Sequence, residues 1–194
     1  MKYFKEMDDL PAFDLMAELT DMIAADKIKW NELNQICLNT TPDHPHDPFY
    51  GAGSLDLDYA RKYEEIDSSG NTKIIVPPRE HYLREEDFTQ LVSVFEGTKF
   101  EDFYRILTAK FAVGRVRVMK MRPNHSMSWH KDYNNRIHYP LKTQTGCFMV
   151  IDDEITHLEQ NKWYYTVTQQ FHTAFNGSRE DRTHIVACLF EDKK

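Results

Sequence analysis

The chain has 194 residues and a formal net charge of −7, a length typical of one domain that can bury a core without disulfides. No basic tract stands out and no apolar run approaches the roughly 18 residues of a membrane helix, which argues against nucleic acid and membrane as partners. Asp8 and Asp9 lie where a signal peptide would be apolar, and the three cysteines have no metal-binding spacing. We therefore expect a cytoplasmic protein in a reducing compartment.

Helical patterns and loops alternate in residues 1–114. From Phe13 to Ile23, apolar residues recur at three- and four-residue steps, which predicts a helix that begins near Pro11. Two further segments show short amphipathic patterns, separated by a glycine that breaks the helix. These segments are residues 84–95 and 100–111, with Gly97 between them.

The pattern changes to a period of two in residues 115–194. Val116 and Val118 alternate with Arg117 and Met119, as expected of a strand with one buried face. Several short segments rich in aromatic and β-branched residues follow, which predicts a β-sandwich or a jelly-roll barrel. The further strand candidates are residues 137–141, 146–151, 163–167 and 183–190.

His130, Asp132 and His172 form a candidate metal site. Side chains two apart on an extended segment share a face, so His130 and Asp132 can reach one ion together. The pair alone is weak evidence because chance often produces it, and a surface histidine beside a solvated aspartate is the simpler interpretation. His172, just before a predicted turn and a returning strand, supplies the third ligand. Two histidines and one carboxylate with open positions are typical of non-haem iron oxygenases.

Arg182 follows the second histidine at the start of an apolar strand. An inward-facing arginine requires an anion, because an unpaired buried charge is costly. The anion is either a structural carboxylate such as Asp181 or Asp132, or the distal carboxylate of 2-oxoglutarate, held by two hydrogen bonds. Arg136 and His138 add a second polar pair, which is either part of the same site or a solvated arginine beside a satisfied histidine.

Residues 115–190 resemble the aspartyl/asparaginyl β-hydroxylase-like family of 2-oxoglutarate/Fe(II)-dependent dioxygenases. The resemblance rests on three sequence motifs and covers about the C-terminal 40% of the chain. The ten-residue step from histidine to arginine makes it more specific than a general His-x-Asp…His match. The motifs are Trp129-His130-Lys131-Asp132, Arg136-Ile137-His138-Tyr139-Pro140-Leu141, and His172 with Asn176, Ser178 and Arg182-Thr183-His184-Ile185-Val186.

The resemblance implies a mainly β fold, with a double-stranded β-helix (jelly roll, cupin-like) core and packed helices. It implies that His130, Asp132 and His172 bind Fe(II), and that the enzyme uses 2-oxoglutarate and O2. In addition, Arg182 would bind the far carboxylate of 2-oxoglutarate, with Arg136 and His138 near its metal-chelating end. Where some members have a small hydroxyl residue that assists at the far carboxylate, this chain has Met119, and Tyr165 is a candidate to replace it.

The sequence therefore predicts one catalytic domain, residues 1–194, with a helical and loop part, 1–114, and a double-stranded β-helix core, 115–194. The expected activity is hydroxylation of an aliphatic carbon in an Asp, Asn or Pro residue of a peptide or protein. Two alternatives remain open. The substrate is a free amino acid or small molecule, or the chain is a cupin-like module that binds zinc or nickel without oxygen chemistry.

Overall fold

The computed structural model describes residues 2–55, 63–75 and 83–190. Two helices lie in its N-terminal part, α1 (Met16–Ala24) and α2 (Lys99–Lys110). The strands are β1 Phe4–Glu6, β2 Gln35–Cys37, β3 Asn39–Thr40, β4 Tyr63–Ile66, β5 Thr72–Ile75, β6 Gln90–Leu91, β7 Val113–Met121, β8 His125–Ser126, β9 Arg136–Lys142, β10 Cys147–Ile151, β11 Glu154–Thr156, β12 Tyr164–Thr166, β13 His172–Asn176 and β14 Arg182–Leu189.

Two antiparallel sheets form the core of the fold. The larger has the order β1-β12-β9-β14-β7-β2, and the smaller has the order β11-β10-β13-β8. Strands that are distant in sequence, such as β7 and β14, are therefore neighbours in space. The remaining pairs are β3 with β6 and the hairpin of β4 with β5.

Alternation along the central strands gives the larger sheet an apolar outer face and a polar inner face. In β9, Ile137 and Tyr139 belong to the hydrophobic core that includes Leu19 of α1 and Phe103 of α2. The residues between them, including His138, point to the opposite side because successive side chains alternate. The helices thus cover one face of the sheet and leave the polar face directed inward.

A second apolar cluster fills part of the space between the sheets. Met149 and Ala174 of the smaller sheet pack there with Phe4 and Tyr164 of the larger one. Two facing antiparallel sheets with helices outside confirm the predicted jelly-roll core. Strands β1 and β2, from the part predicted to be helical and loop, also join the larger sheet.

The predicted helix over residues 84–95 is wrong. The segment instead contains two 3-10 turns, Glu85–Asp87 and Ser93–Phe95, around strand β6. Strand β6 pairs with β3, and the Glu85 carboxylate binds two arginines of the larger sheet. These tertiary contacts outweigh a short helical pattern, as they often do.

Helix α1 begins later than its sequence pattern suggests. The Phe13 N–H donates to the Tyr139 hydroxyl, which in turn donates to the Phe13 carbonyl at 2.8 Å. The Pro11 carbonyl accepts from the Trp163 indole N–H at 2.8 Å. Because these backbone groups are already bonded to the sheet, the helix starts only at Met16. Neither helix in the described residues is long and apolar enough to span a bilayer.

Candidate metal centre

Backbone pairing brings His130 and His172 together. The His172 N–H donates to the His130 carbonyl at 2.8 Å, and the His130 N–H donates to the His172 carbonyl at 3.1 Å. The Asp132 N–H donates to the Thr168 carbonyl at 2.9 Å. This bond keeps Asp132 beside the segment that leads into β13. Two residues that exchange both hydrogen bonds lie opposite each other with side chains on one face.

The three predicted metal ligands converge. One potential ligand atom from each of His130, Asp132 and His172 lies within 4.8 Å of the others. The Nε2 atoms of the histidines are 3.8 Å and 3.7 Å from the two carboxylate oxygens. Ligand atoms bound to one ion at roughly 2.1 Å lie about 3–3.5 Å apart, so only a small contraction is needed. The donor set therefore fits a first-row transition metal such as iron(II).

Hydrogen bonds fix the tautomer of both histidines. Nδ1 of His130 lies 2.7 Å from the Ser128 carbonyl, and Nδ1 of His172 lies 3.0 Å from the Gln170 carbonyl. A carbonyl oxygen only accepts, so each Nδ1 carries the proton and each Nε2 has a free lone pair. Burial lowers the pKa of His172, which further favours the neutral form. Such backbone partners are the usual orienting groups of metal-binding histidines.

A buried ion network extends from Asp132. Arg136 Nε donates to Asp132 Oδ2 at 2.9 Å, and Arg136 Nη1 donates to Glu85 Oε2 at 2.6 Å. The other Glu85 oxygen accepts from Arg115 Nη2 at 2.8 Å. Burial alone would raise the pKa of Glu85, but Arg136 and Arg115 outweigh it and lower the pKa to about 2. The network leaves Asp132 Oδ1 directed to His130 and orients the carboxylate.

Arg182 is a buried cation without a matching anion. It belongs to the inner face of β14, and its Nη2 lies 3.0 Å from His184 Nδ1. No carboxylate in the described part of the chain forms an ion pair with it. Burial lowers the pKa of Arg182 to about 10, so the guanidinium still carries its charge at neutral pH. Because a buried unpaired charge is costly, a cation in this position favours an anionic ligand.

His138 and His184 lie on the inner face between the metal ligands and Arg182. Their rings are 5.9 Å apart, and His138 interacts electrostatically with both Arg182 and His172. His138 Nδ1 and His184 Nε2 are buried and have no hydrogen-bond partner among the described residues. Unsatisfied buried polar atoms are rare and commonly indicate a bound ligand or water. The two rings therefore line a polar path from the triad to Arg182.

Because these two histidines are buried, we expect the free energy of unfolding to decrease steeply in acid. Burial holds the pKa of His138 and His184 well below 6.5 in the folded state, whereas both take up protons near pH 6.5 when unfolded. Their stabilising contribution is present above pH 6.5 and is lost as pH falls. We expect the free energy of unfolding to fall below about pH 6.5 with a limiting slope of roughly 3 kcal/mol per pH unit from the two groups.

Urea unfolding between about pH 7.5 and 5.5 measures this slope. The variant His138→Asn should lose close to half of the contribution. Exposed His125, replaced in the same way, serves as the control and should leave the slope unchanged. Equal slopes for wild type and His138→Asn would contradict the prediction.

The structure brings all six predicted site residues to one interior, but it separates their environments. The metal-ligand cluster consists of His130, Asp132 and His172. Arg136 forms ion pairs with two carboxylates, whereas Arg182 forms none with the described residues. Their roles as ligands and cosubstrate contacts stay predictions. Sequence reasoning missed Glu85, because it lies far before the motifs, and as one of three consecutive acidic residues, 85–87, it gave no signal of its own.

The second contact to a far carboxylate does not come from Tyr165. Tyr165 is opposite Ile137 in the register and packs with the core under the helices. Its hydroxyl accepts from Asn135 Nδ2 at 2.7 Å. The suggestion that it replaces the missing hydroxyl residue is therefore wrong. Met119 is opposite His184 on the inner face, and its thioether has no N–H or O–H to donate to a carboxylate.

The fold and the site define a jelly-roll protein with an open two-histidine, one-carboxylate centre. A family model described as aspartyl/asparaginyl beta-hydroxylase matches residues 85–191, more than half of the chain. The chain belongs to this family, as the sequence motifs predicted. The match begins at Glu85 and so includes the carboxylate that binds Arg136 and Arg115. Family membership supports a hydroxylase or oxygenase activity. No curated protein matches the sequence.

Solved structures show only distant similarity. AerE from Microcystis aeruginosa is 22% identical with a TM-score of 0.36, over 40% of this chain and 36% of AerE. AviO1 from Streptomyces viridochromogenes Tue57 is 13% identical with a TM-score of 0.49, over 98% of this chain and 90% of AviO1. An oxidoreductase of the 2OG-Fe(II) oxygenase family from Burkholderia pseudomallei is 13% identical with a TM-score of 0.38, over 89% and 88% of the two chains. The functional assignment therefore rests on the family and on the site geometry.

Proposed function

We propose that the protein is a 2-oxoglutarate- and Fe(II)-dependent dioxygenase that hydroxylates an aliphatic carbon. The observation that carries the proposal is the combination of an open metal triad with a buried arginine that has no anionic partner in the described residues. A structural metal site requires the first feature but has no use for the second. Both lie on the interior of one jelly roll.

In this proposal His130, Asp132 and His172 hold the iron. When bound, the iron supplies oxygen activation, which couples oxidative decarboxylation of 2-oxoglutarate to succinate and carbon dioxide with hydroxylation of a C–H bond. The protein keeps both histidines neutral with their Nε2 lone pairs directed to the site. Arg136 keeps the Asp132 carboxylate in place. Because protons compete with the metal for these ligands, iron occupancy falls in acid.

The remaining interior residues bind and orient 2-oxoglutarate. Arg182 pairs with the far carboxylate, and His184 holds the guanidinium from the side. His138 donates or accepts at the chelating end with its unpartnered Nδ1, and Arg136 adds positive charge there. The arginines that line this interior position the cosubstrate.

We further propose that residues 1–194 work as one catalytic domain on a cytoplasmic substrate. The family description supports an Asp- or Asn-type residue of a peptide or protein as the target, and a Pro-type residue belongs to the same class. The first alternative is the same chemistry on a free amino acid or small molecule. Residues before β7 reach the inner face through Gly53 and Glu85, which bond to its arginines, so in this proposal substrate choice depends on them more than on the triad.

An anaerobic visible spectrum tests the proposed function. Iron(II) and 2-oxoglutarate added to the protein should produce the charge-transfer band of a bidentate chelate, and His172→Ala should abolish the band. The second alternative is a cupin-like module, and the two-histidine, one-carboxylate set alone also suits zinc or nickel. Tight zinc or nickel binding without any 2-oxoglutarate-dependent band would favour the module and contradict the oxygenase.

A further inference from the structure

Arg117 on the inner face differs from Arg136, which binds two carboxylates, and from Arg182, which bonds to His184. In β7 it is two residues from Arg115 and shares its side of the sheet. It lies opposite Val186 of β14, which in turn lies opposite His138 of β9. Adjacent strands are about 4.8 Å apart, so the Arg117 backbone is roughly 10 Å from that of His138. The Arg117 guanidinium bonds to Gln35 of β2 and to the Gly53 carbonyl, and it interacts electrostatically with Glu85 and Arg136, which belong to the ion network beside Asp132.

Neutral oxygen atoms hold the Arg117 guanidinium in place. Nη1 donates to Gln35 Oε1 at 3.0 Å and to the Gly53 carbonyl at 2.8 Å. The Gly53 carbonyl also accepts from Arg115 Nη1 at 2.9 Å, and the Gly53 N–H donates to Gln35 Oε1 at 2.9 Å. Gly53 has a φ of +84°, a conformation that favours glycine and gives this loop its fixed turn. The orientation of Arg117 is thus set in advance, but its charge is not neutralised.

The described acidic residues of the neighbouring ion network form ion pairs with other arginines. Glu85 is shared by Arg115 and Arg136, and Asp132 accepts from Arg136. No described carboxylate lies within ion-pair distance of Arg117. Burial, with Arg115 adding to it, lowers the pKa of Arg117 to about 9, so it remains a cation at neutral pH. Its side chain is only partly buried, and the guanidinium keeps further N–H groups beyond Nη1 for a ligand.

We propose that Arg117 binds a carboxylate of the substrate. The inference rests on the proposed function and deepens it, since it assigns a chemical class to the substrate. 2-Oxoglutarate neutralises Arg182 in that function, and Arg117 is then a cation without an anion among the described residues. Arg136, with which Arg117 interacts electrostatically, also donates to Asp132 of the triad, so a carboxylate on Arg117 would lie beside the metal site. The carboxylate comes either from a free amino acid or from an acidic side chain in a peptide.

Matched carboxylates and carboxamides test this assignment. The full chain, loaded anaerobically with iron(II) and 2-oxoglutarate, is titrated with free L-amino acids, their α-carboxamides, and blocked tripeptides with a central Asp or Asn. Binding is read from the change in the chelate band, and the hits are then assayed for succinate in air. We expect a carboxylate probe to bind and its amide partner to bind at least about 30-fold more weakly. The free amino acid and the Asp peptide distinguish the two sources.

Variants of Arg117 separate a substrate contact from a structural role. Arg117→Gln should weaken the carboxylate probe by at least about 30-fold and leave 2-oxoglutarate affinity within about twofold, while Arg117→Lys restores part of the binding. Arg105→Gln is the matched control, since Arg105 is an exposed residue of α2 paired only with Asp102 in the described chain. The 2-oxoglutarate band in each variant verifies a folded site.

Four results would overturn the assignment. The first three are equal affinities for carboxylate and carboxamide, unchanged probe binding in Arg117→Gln, and no binding of any probe at millimolar concentration to wild type that forms the band. Weaker 2-oxoglutarate binding in Arg117→Gln would also overturn it, because Arg117 would then belong to the cosubstrate site. If wild type forms no band at all, the proposed function fails first, which distinguishes the two failures.

Discussion

Replacing His172 with alanine is expected to reduce iron(II) affinity by more than about 100-fold and to abolish turnover. His172 is buried at the start of β13, and its Nε2 is directed to Asp132 with the tautomer already fixed. The loss of an orienting partner alone typically costs 10- to 100-fold in metal affinity or activity, so the loss of a ligand costs more. Titration of iron(II) under anaerobic conditions measures the affinity, and succinate formation measures turnover.

His125→Ala is the matched control for this variant. His125 is exposed on β8, pairs with Asn176 at the other end of β13 from His172, and lies outside the triad. It should bind iron and turn over as the wild type does. His130→Ala should behave like His172→Ala. Wild-type turnover in both triad variants would show that the assigned site is wrong.

Replacing Arg182 with alanine is expected to weaken 2-oxoglutarate by roughly 30- to 5000-fold. The variant leaves the far carboxylate of 2-oxoglutarate unpaired in a buried pocket, and loss of one partner of a desolvated pair typically costs about 2–5 kcal/mol. Iron(II) affinity in the absence of 2-oxoglutarate should remain close to that of wild type, because Arg182 does not touch the triad. Titration of 2-oxoglutarate into the iron-loaded protein measures the effect.

Two further variants sharpen the interpretation of Arg182. Arg182→Lys keeps the charge but loses the two-pronged geometry, so we expect an intermediate affinity. Arg105→Gln, on the exposed face of α2, should change nothing. Unchanged 2-oxoglutarate affinity in Arg182→Ala would identify Arg182 as a structural residue and remove the main argument for an oxoacid cosubstrate.

The fold could be predicted where local patterns are strong. The alternation around Val116 and Val118 predicted β7, and the aromatic and β-branched segments predicted β9, β10, β12 and β14 but not β13. The pattern over residues 84–95 wrongly predicted a helix, because Glu85 and strand β6 bond to residues that are distant in the sequence. A single sequence does not contain those partners as a local signal.

The site was predicted in part for the same reason. His130, Asp132 and His172 have a recognisable chemistry and spacing, and the fold brings them together. The sequence did not reveal that Glu85 and Asp132 would share Arg136, or that no carboxylate in residues 2–55, 63–75 and 83–190 would pair with Arg117. Such charge pairings depend on strand register and loop position, and they become readable only when the inner face is assembled.

Succinate formation is the most direct test of the central claim. The purified chain is supplied with iron(II), 2-oxoglutarate and air together with the amino-acid and peptide probes, and succinate is quantified against reactions that omit one component. The account predicts succinate only when iron(II), 2-oxoglutarate and air are all present with a probe that binds. It predicts none above background with His172→Ala. Chelate formation without succinate for any probe, or equal succinate from the His172→Ala variant, would contradict it.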